Sequence, residues 1–202
     1  LYSALLRPLG DRPLLPLAVP LAVCDAAEAL ASVSCSVKWP NDVWVGGRKL
    51  AGVLIESRAG DHGWAVIGVG LNVAVRRGDF PTELAQTATS LLAEGAGRPS
   101  VPTALAALNV ALSRWIDAPE PEVLGAFRAR DALSGRRVAW HEGEGVVAGI
   151  DDLGHLLVDD DRELCGMLTE YLAQEGFVVS SVHDGAEAQA ALAADAYALV
   201  IL

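Results

Sequence analysis

Gly46-Gly47 constrains the fold of this chain more than any other pair of residues, because it lies between two short β-rich runs. Val43-Trp44-Val45 precede it, and residues 49–56 (KLAGVLIE) follow it. Two glycines accept the positive φ angles of a two-residue hairpin turn, so the flanking runs are expected to pair antiparallel. A third run, residues 64–73 (WAVIGVGLNV), comes after a short loop. A shorter one at 37–39 ends before Pro40, which biases Trp39 away from helical geometry. Sequential strands joined by short links imply a mixed or antiparallel sheet.

Helical periodicity brackets these strands. Residues 17–32 (LAVPLAVCDAAEALAS) carry apolar side chains at helical spacing after Pro16, which predicts a buried helix. From Val101 onward, Leu105, Leu108, Leu112 and Trp115 repeat at the same spacing, and a further helical stretch spans 119–130. The expected architecture is therefore α+β, with helices packed on one face of the sheet. Residues 134–158 return to short β segments separated by glycines, as in a small β-barrel.

Charge and composition narrow the function. Half the chain is apolar (52%), enough for a sizeable core, and the net charge of −11 argues against nonspecific nucleic-acid binding. The uncharged run at 14–24 holds Pro16 and Pro20 and falls short of the roughly 20 apolar residues of a membrane span. Cys24, Cys35 and Cys165 are odd in number and widely spaced, which suits a reducing cytoplasm, and the four histidines show no ligand spacing. Residues 159–202 hold nine acids and one base, against 17 acids and 14 bases before them, which marks a boundary near Val158.

The densest group of polar residues is KWPND at 38–42, followed by RKLAG at 48–52 and GVGLN at 68–72. Singly, each has a plain structural explanation. Asn41-Asp42 suit a turn, Lys49 suits a solvated hairpin mouth, and Gly68 and Gly70 suit a bulge. Together they suggest more. Positions 68, 70 and 72 share one face of a strand, and two glycines among β-branched residues invite a close approach to the backbone. A flat ligand over Gly68 and Gly70 would meet Asn72 at its end, with Gly52 widening the floor. The hairpin brings Asp42 and Lys49 near each other. A carboxylate plus an amide can hold hydrated Mg²⁺ on phosphates, and a lysine beside them can neutralise developing charge.

KWPND, RKLAG and GVGLN, in this order and at these distances, resemble the biotin protein ligase family, and the resemblance runs from Leu1 to about Val158. The LYSALLRP opening, the Ala-Thr-Ser-Leu91 stretch and GIDDLGHLLV near the end of that region agree with it. The resemblance implies a class II synthetase-like fold, with a catalytic domain over 1–130 and part of a small C-terminal β-barrel over 131–157. It implies an ATP-dependent ligase that makes biotinyl-5′-AMP and passes biotin to a lysine of a biotin carboxyl carrier protein. Lys49 would contact the biotin carboxylate and the α-phosphate. Gly52, Gly68 and Gly70 would line the biotin site. Asn41, Asp42 and Asn72, with Lys38, would serve ATP and its Mg²⁺, and Trp39 would support the site by packing. The expected substrates and cofactor are biotin, ATP and Mg²⁺, with no nucleic acid or membrane as partner. A homodimer is compatible with the sequence. A lipoate or octanoyl transferase shares the fold, but KWPND favours biotin.

Two departures accompany the resemblance. The chain opens at Leu1 inside a strand, whereas family members carry a glycine- and arginine-rich loop before it that closes over the adenylate. Without that loop an adenylate is expected to be poorly enclosed and activity feeble. From Val158 the sequence resembles the first half of a response-regulator receiver domain, a partial βαβαβ unit over 158–202. Asp159 and Asp160 would match its Mg²⁺-binding acidic pair, in preference to the plainer reading of a solvated acidic run capping the following helix. The alternative reading of the whole chain is thus a phosphorelay receiver, but the chain stops one residue before the phospho-accepting aspartate. The join is expected to be a fusion of unrelated pieces.

Overall fold

The computed structural model describes residues 2–6, 12–58, 63–140, 143–159, 189–190 and 193. The chain divides into two compact units, Leu1–Val158 and Asp159–Leu202.

In the first unit, five strands form one sheet: β1 (Tyr2–Leu6), β2 (Cys35–Lys38), β3 (Asp42–Val45), β4 (Arg48–Arg58) and β5 (Trp64–Leu71). Their order is β1-β5-β4-β3-β2. Every pairing is antiparallel, so the mixed alternative falls away. Gly46 and Gly47 take φ values of +55° and +78°, as the tight β3–β4 turn requires.

Side-chain alternation gives the sheet a buried face and an open face. Ala65, Ile67 and Val69 of β5 are buried with Val37, Val43 and Val53 of its neighbours. Against them lies α1 (Leu15–Glu28), which is apolar all round and sits between the sheet and α2 (Val101–Trp115). The helix starts at Leu15 because Pro16 suits the first turn, and it ends four residues before the predicted 32. There the Glu28 carboxylate accepts from the Cys35 N–H at 2.9 Å, tying the helix end to β2.

Ser100 caps α2 through the Thr103 N–H. The helix buries Ala104, Leu108, Ala111, Leu112 and Trp115, whereas Leu105 is 39% exposed. The predicted stripe is thus rotated slightly, with alanines doing part of the packing. The expected third helix is α3 (Glu120–Arg130), anchored by Val123, Leu124 and Phe127. Asp25 joins all three helices, accepting from Trp115 Nε1 at 2.7 Å and pairing with Arg114 and Arg130 at 3.1 Å.

The glycine-rich segment after α3 forms a three-stranded sheet, β6 (Arg137–Trp140), β7 (Gly143–Ile150) and β8 (Leu156–Asp159). Among the described residues no barrel closes, because three strands leave two open edges. Trp39 Nε1 donates to Gly154 O at 3.0 Å, so KWPND also holds the turn between β7 and β8.

Of the second unit, Asp159 ends β8, and residues 189, 190 and 193 are helical. Asp160 and most of the partial βαβαβ unit expected over 158–202 lie outside the described residues. No helix among the described residues is long and apolar enough to cross a membrane.

Candidate active site

The open face is assembled by strand register. Gly52 opposes Gly70, Leu54 opposes Gly68 and Glu56 opposes Val66, while Asp42 of β3 opposes Gly52 from the other side. Directly opposed residues share a face. Here the floor consists largely of backbone.

Regular alternation along β4 would bring Leu50 to this face and drive Lys49 into the core. A β-bulge prevents that. Val43 pairs with Ala51 and Trp44 pairs with Lys49, which leaves Leu50 unopposed. Leu50 and Ala51 are consequently both buried, at 0% and 2% exposure, and Lys49 shares the face of Asp42 and Gly52.

Lys49 Nζ lies 2.6 Å from Asp42 Oδ1. Its side chain is about half exposed, so the pair adds little stability. Its value is positional. An ammonium carries three donors, and with one aimed at Asp42 the others can meet an anion. The pair borders a groove of about 450 Å³ lined by Asn41, Asp42, Lys49, Gly52, Leu54 and Gly68, within the size range of small-molecule sites. Leu54 is 65% exposed and supplies an apolar surface within it. A Cβ on Gly68 would make only ordinary contacts with Leu54. Glycine there leaves space above the floor rather than relieving a clash below it.

The sequence-predicted residues therefore divide. Asn41, Asp42, Lys49, Gly52 and Gly68 line the groove together. Gly70 lies one pair further along the same face, beside Gly52. Asn41 donates from Nδ2 to Val53 O at 2.7 Å, and Val53 N donates to Asn41 O at 2.9 Å, so part of its amide clamps the β3 turn to β4. Asn72 is outside the groove lining. Its Nδ2 donates to Thr89 O at 2.9 Å, and its backbone bonds to Leu50 and Leu91. Lys38, opposite Asp42, places its ammonium 5.2 Å from the centre of the Trp44 ring. Asp159 lies in the other sheet. Among the described residues no cluster of three or more His, Cys, Asp or Glu could hold a metal ion.

Sequence reasoning missed the support beneath Lys49. Lys49 N donates to Thr87 O at 2.7 Å, and Thr89 N donates to Lys49 O at 2.9 Å. Segment 87–91 thus runs alongside the lysine. The signals were present: two adjacent apolar residues, Leu50-Ala51, interrupt the alternation, and Thr89-Ser90 is a polar pair that the fold buries almost completely.

The chain is similar in sequence and fold to known proteins. Residues 2–72 match the model of the Biotin/lipoate A/B protein ligase family. The chain is 36% identical over 157 residues to the biotin–(acetyl-CoA-carboxylase) ligase of Mycobacterium tuberculosis, covering 72% of this chain and 56% of that protein. The fold is similar to the apo biotin protein ligase of Aquifex aeolicus, with a TM-score of 0.62, 30% identity, and coverage of 77% of this chain and 72% of that one. It is similar also to that ligase in complex with biotin and ATP, with a TM-score of 0.61, 28% identity, and coverage of 77% and 69%. The chain spans between 20% and 59% of the lengths of the curated relatives it matches. With that likeness to the Aquifex ligase and the family motifs gathered on one sheet face, the chain belongs to the biotin/lipoate A/B protein ligase family.

Proposed function

We propose that the first unit is the core of a biotin protein ligase, activating biotin with ATP and transferring it to a lysine of a biotin carboxyl carrier protein. The observation that carries this reading is the Lys49–Asp42 pair, 2.6 Å apart, over a floor of glycine backbone. Biotin would lie on Gly52 and Gly68, with Gly70 extending the floor and Leu54 covering its apolar part. Its carboxylate would point toward the Lys49 ammonium.

In the first step a carboxylate oxygen attacks the α-phosphorus of ATP. The new P–O bond forms as the bond to the β,γ-phosphates breaks, and pyrophosphate leaves. Lys49 bridges the two reacting anions and offsets their repulsion, while Asp42 holds the amine in place. In the second step a lysine amine of the acceptor attacks the carbonyl carbon of the mixed anhydride, loses a proton, and AMP departs with the bonding electrons. The described groove lining holds no hydroxyl or thiol, which suits direct transfer without a covalent enzyme intermediate.

The groove's oxygen donors also suit Mg²⁺, which prefers carboxylates, phosphates and retained waters. Asp42, with the amide oxygen of Asn41, would hold it, and it would supply charge neutralisation on the phosphates. Asn72 would serve ATP indirectly, by ordering segment 87–91, and Lys38 would add positive charge beside Asp42. The free thiols of Cys24 and Cys35 suit a reducing cytoplasm. Residues 159–202 would form a separate receiver-like unit, a reading supported by their acidity and by Asp159-Asp160.

Calorimetric titration of the chain with biotin and ATP, paired with biotin-dependent pyrophosphate release, tests the reading. Both ligands should bind, lipoate should not replace biotin, and Lys49→Ala should abolish pyrophosphate release without unfolding the chain. Undiminished release by Lys49→Ala, or failure of the folded chain to bind either ligand, would overturn it.

A further inference from the structure

Glu94 stands outside the groove, yet its carboxylate joins the two residues that frame Lys49. Oε1 accepts from Arg48 Nη2 at 2.7 Å and also from the Thr89 hydroxyl. Arg48 precedes Lys49 in β4, and Thr89 donates its backbone N–H to the Lys49 carbonyl. Thr89 is 1% exposed, and the Glu94 and Arg48 side chains are 15% and 22% exposed. Glu94 is itself held in place, because its N–H donates to Ser90 O at 3.0 Å and Asn72 Nδ2 fixes the Thr89 carbonyl.

This network lies where β4 departs from regular pairing. At the bulge Leu50 has no β3 partner, and the backbone of Lys49 turns to segment 87–91 for its hydrogen bonds. Lys49 thus owes its direction less to the β3–β4 ladder than to a neighbouring strand-like segment. Glu94 fastens that segment by a charge-assisted bond to Arg48 in a mostly dry setting, where such bonds are strong and directional.

The geometry points to Glu94 as a positioning residue for Lys49, acting through Arg48 and Thr89 to hold the lysine amine over the glycine floor. Its consequence for rate rests on the adenylate-forming reading above; its consequence for the amine does not. Glu94→Ala frees Arg48 and the Thr89 hydroxyl together. Glu94→Gln keeps an oxygen acceptor in the same place and removes only the charge.

The chain contains only two lysines, Lys38 and Lys49, which makes a direct test practicable. Reductive methylation with ¹³C-formaldehyde gives one NMR signal for each, assigned with Lys38→Arg and Lys49→Arg. Glu94→Ala should displace the Lys49 signal and leave Lys38 in place, while Glu94→Gln stays near the wild-type position. In pyrophosphate release by the unmethylated chain, Glu94→Ala should lower kcat about tenfold with KM for biotin changed by less than about threefold, and Gln should recover most of the loss. If Glu94→Ala does not fold, Thr89→Val, which deletes the hydroxyl link alone, carries the same expectations. An unmoved Lys49 signal in a folded variant overturns the proposal, as does equal displacement of both lysines. Retained activity in Lys49→Ala would instead sink the functional reading and leave the NMR comparison to decide the role of Glu94.

Discussion

Gly52 lies directly against the Lys49 amine: a Cβ built on it would stand 3.2 Å from both Cε and Nζ of Lys49, and 3.4 Å from Asp42 Oδ1. Those distances are tighter than side chains normally accept, yet the atoms that must yield belong to a flexible chain end. Gly52→Ala is therefore expected to fold and to misplace the amine. In biotin-dependent pyrophosphate release, kcat should drop about tenfold, while the melting temperature stays within about 3 °C of the parent. Wild-type kcat in this variant would show that the amine needs no such room.

Asp25 is the strongest stability prediction in the helical layer. Its carboxylate accepts from the Trp115 indole and from two arginines, with a side chain only 22% exposed. Asp25→Ala leaves Arg130, Arg114 and the indole N–H without this acceptor. A loss of about 1–3 kcal/mol is expected, the lower part of the range for broken buried pairs because some water reaches the site. Urea denaturation measures it, and an unchanged midpoint would reduce the cluster to surface decoration.

Gly154 holds the second sheet against α1. Its φ is +83°, and a Cβ there would come within 2.9 Å of Leu17 Cδ1 and 3.2 Å of Leu14 Cδ2. Gly154→Ala combines a left-handed backbone with overpacking, so about 1–3 kcal/mol should be lost in denaturation. Trp39 should suffer too, since its indole donates to the Gly154 carbonyl. A neutral Gly154→Ala would mean that this turn shifts freely.

A pH effect is expected in the turn between β7 and β8. The backbone N–H of His155 holds the Asp151 carboxyl below the ordinary carboxylate range, with desolvation opposing and the His155 side chain and Leu153 N–H adding to the effect. A depressed folded-state value means stabilisation that is complete above the unfolded value and disappears as pH falls through the folded one. The window is therefore below about pH 4. Asp151→Asn should flatten that part of the stability profile, lowering stability at neutral pH and converging with the parent in acid. Parallel denaturation profiles of the two proteins in acid would contradict it.

Much of the sheet could be read in advance, because its signals are local. Gly46-Gly47 announced the turn, and the alternation of Ala65, Ile67 and Val69 with glycines announced a buried and a bare face. Lys49, Asp42, Gly52 and Gly68 were legible as a group for the same reason. Less local features escaped. Leu105 looks like a core residue by spacing, but Ala104 packs in its stead, since the helix turns by what its neighbours leave room for. The bond from the Asn72 amide to Thr89, 17 residues away, could not be read from its strand position. The open three-stranded sheet depends on how many strands meet, which no window of sequence reports.

The bulge at Leu50 makes β4 a strand written in two reading frames. From Gly52 onward, even positions meet the open face; before Leu50, odd positions do. The count of residues between Lys49 and Gly52 is therefore as consequential as their identities. Losing or gaining one there would demand a slip between the two frames, trading the Lys49 amine for a hydrocarbon or shifting the glycine floor. Substitutions can tune this site by degrees, whereas a change of length can only break or restore it.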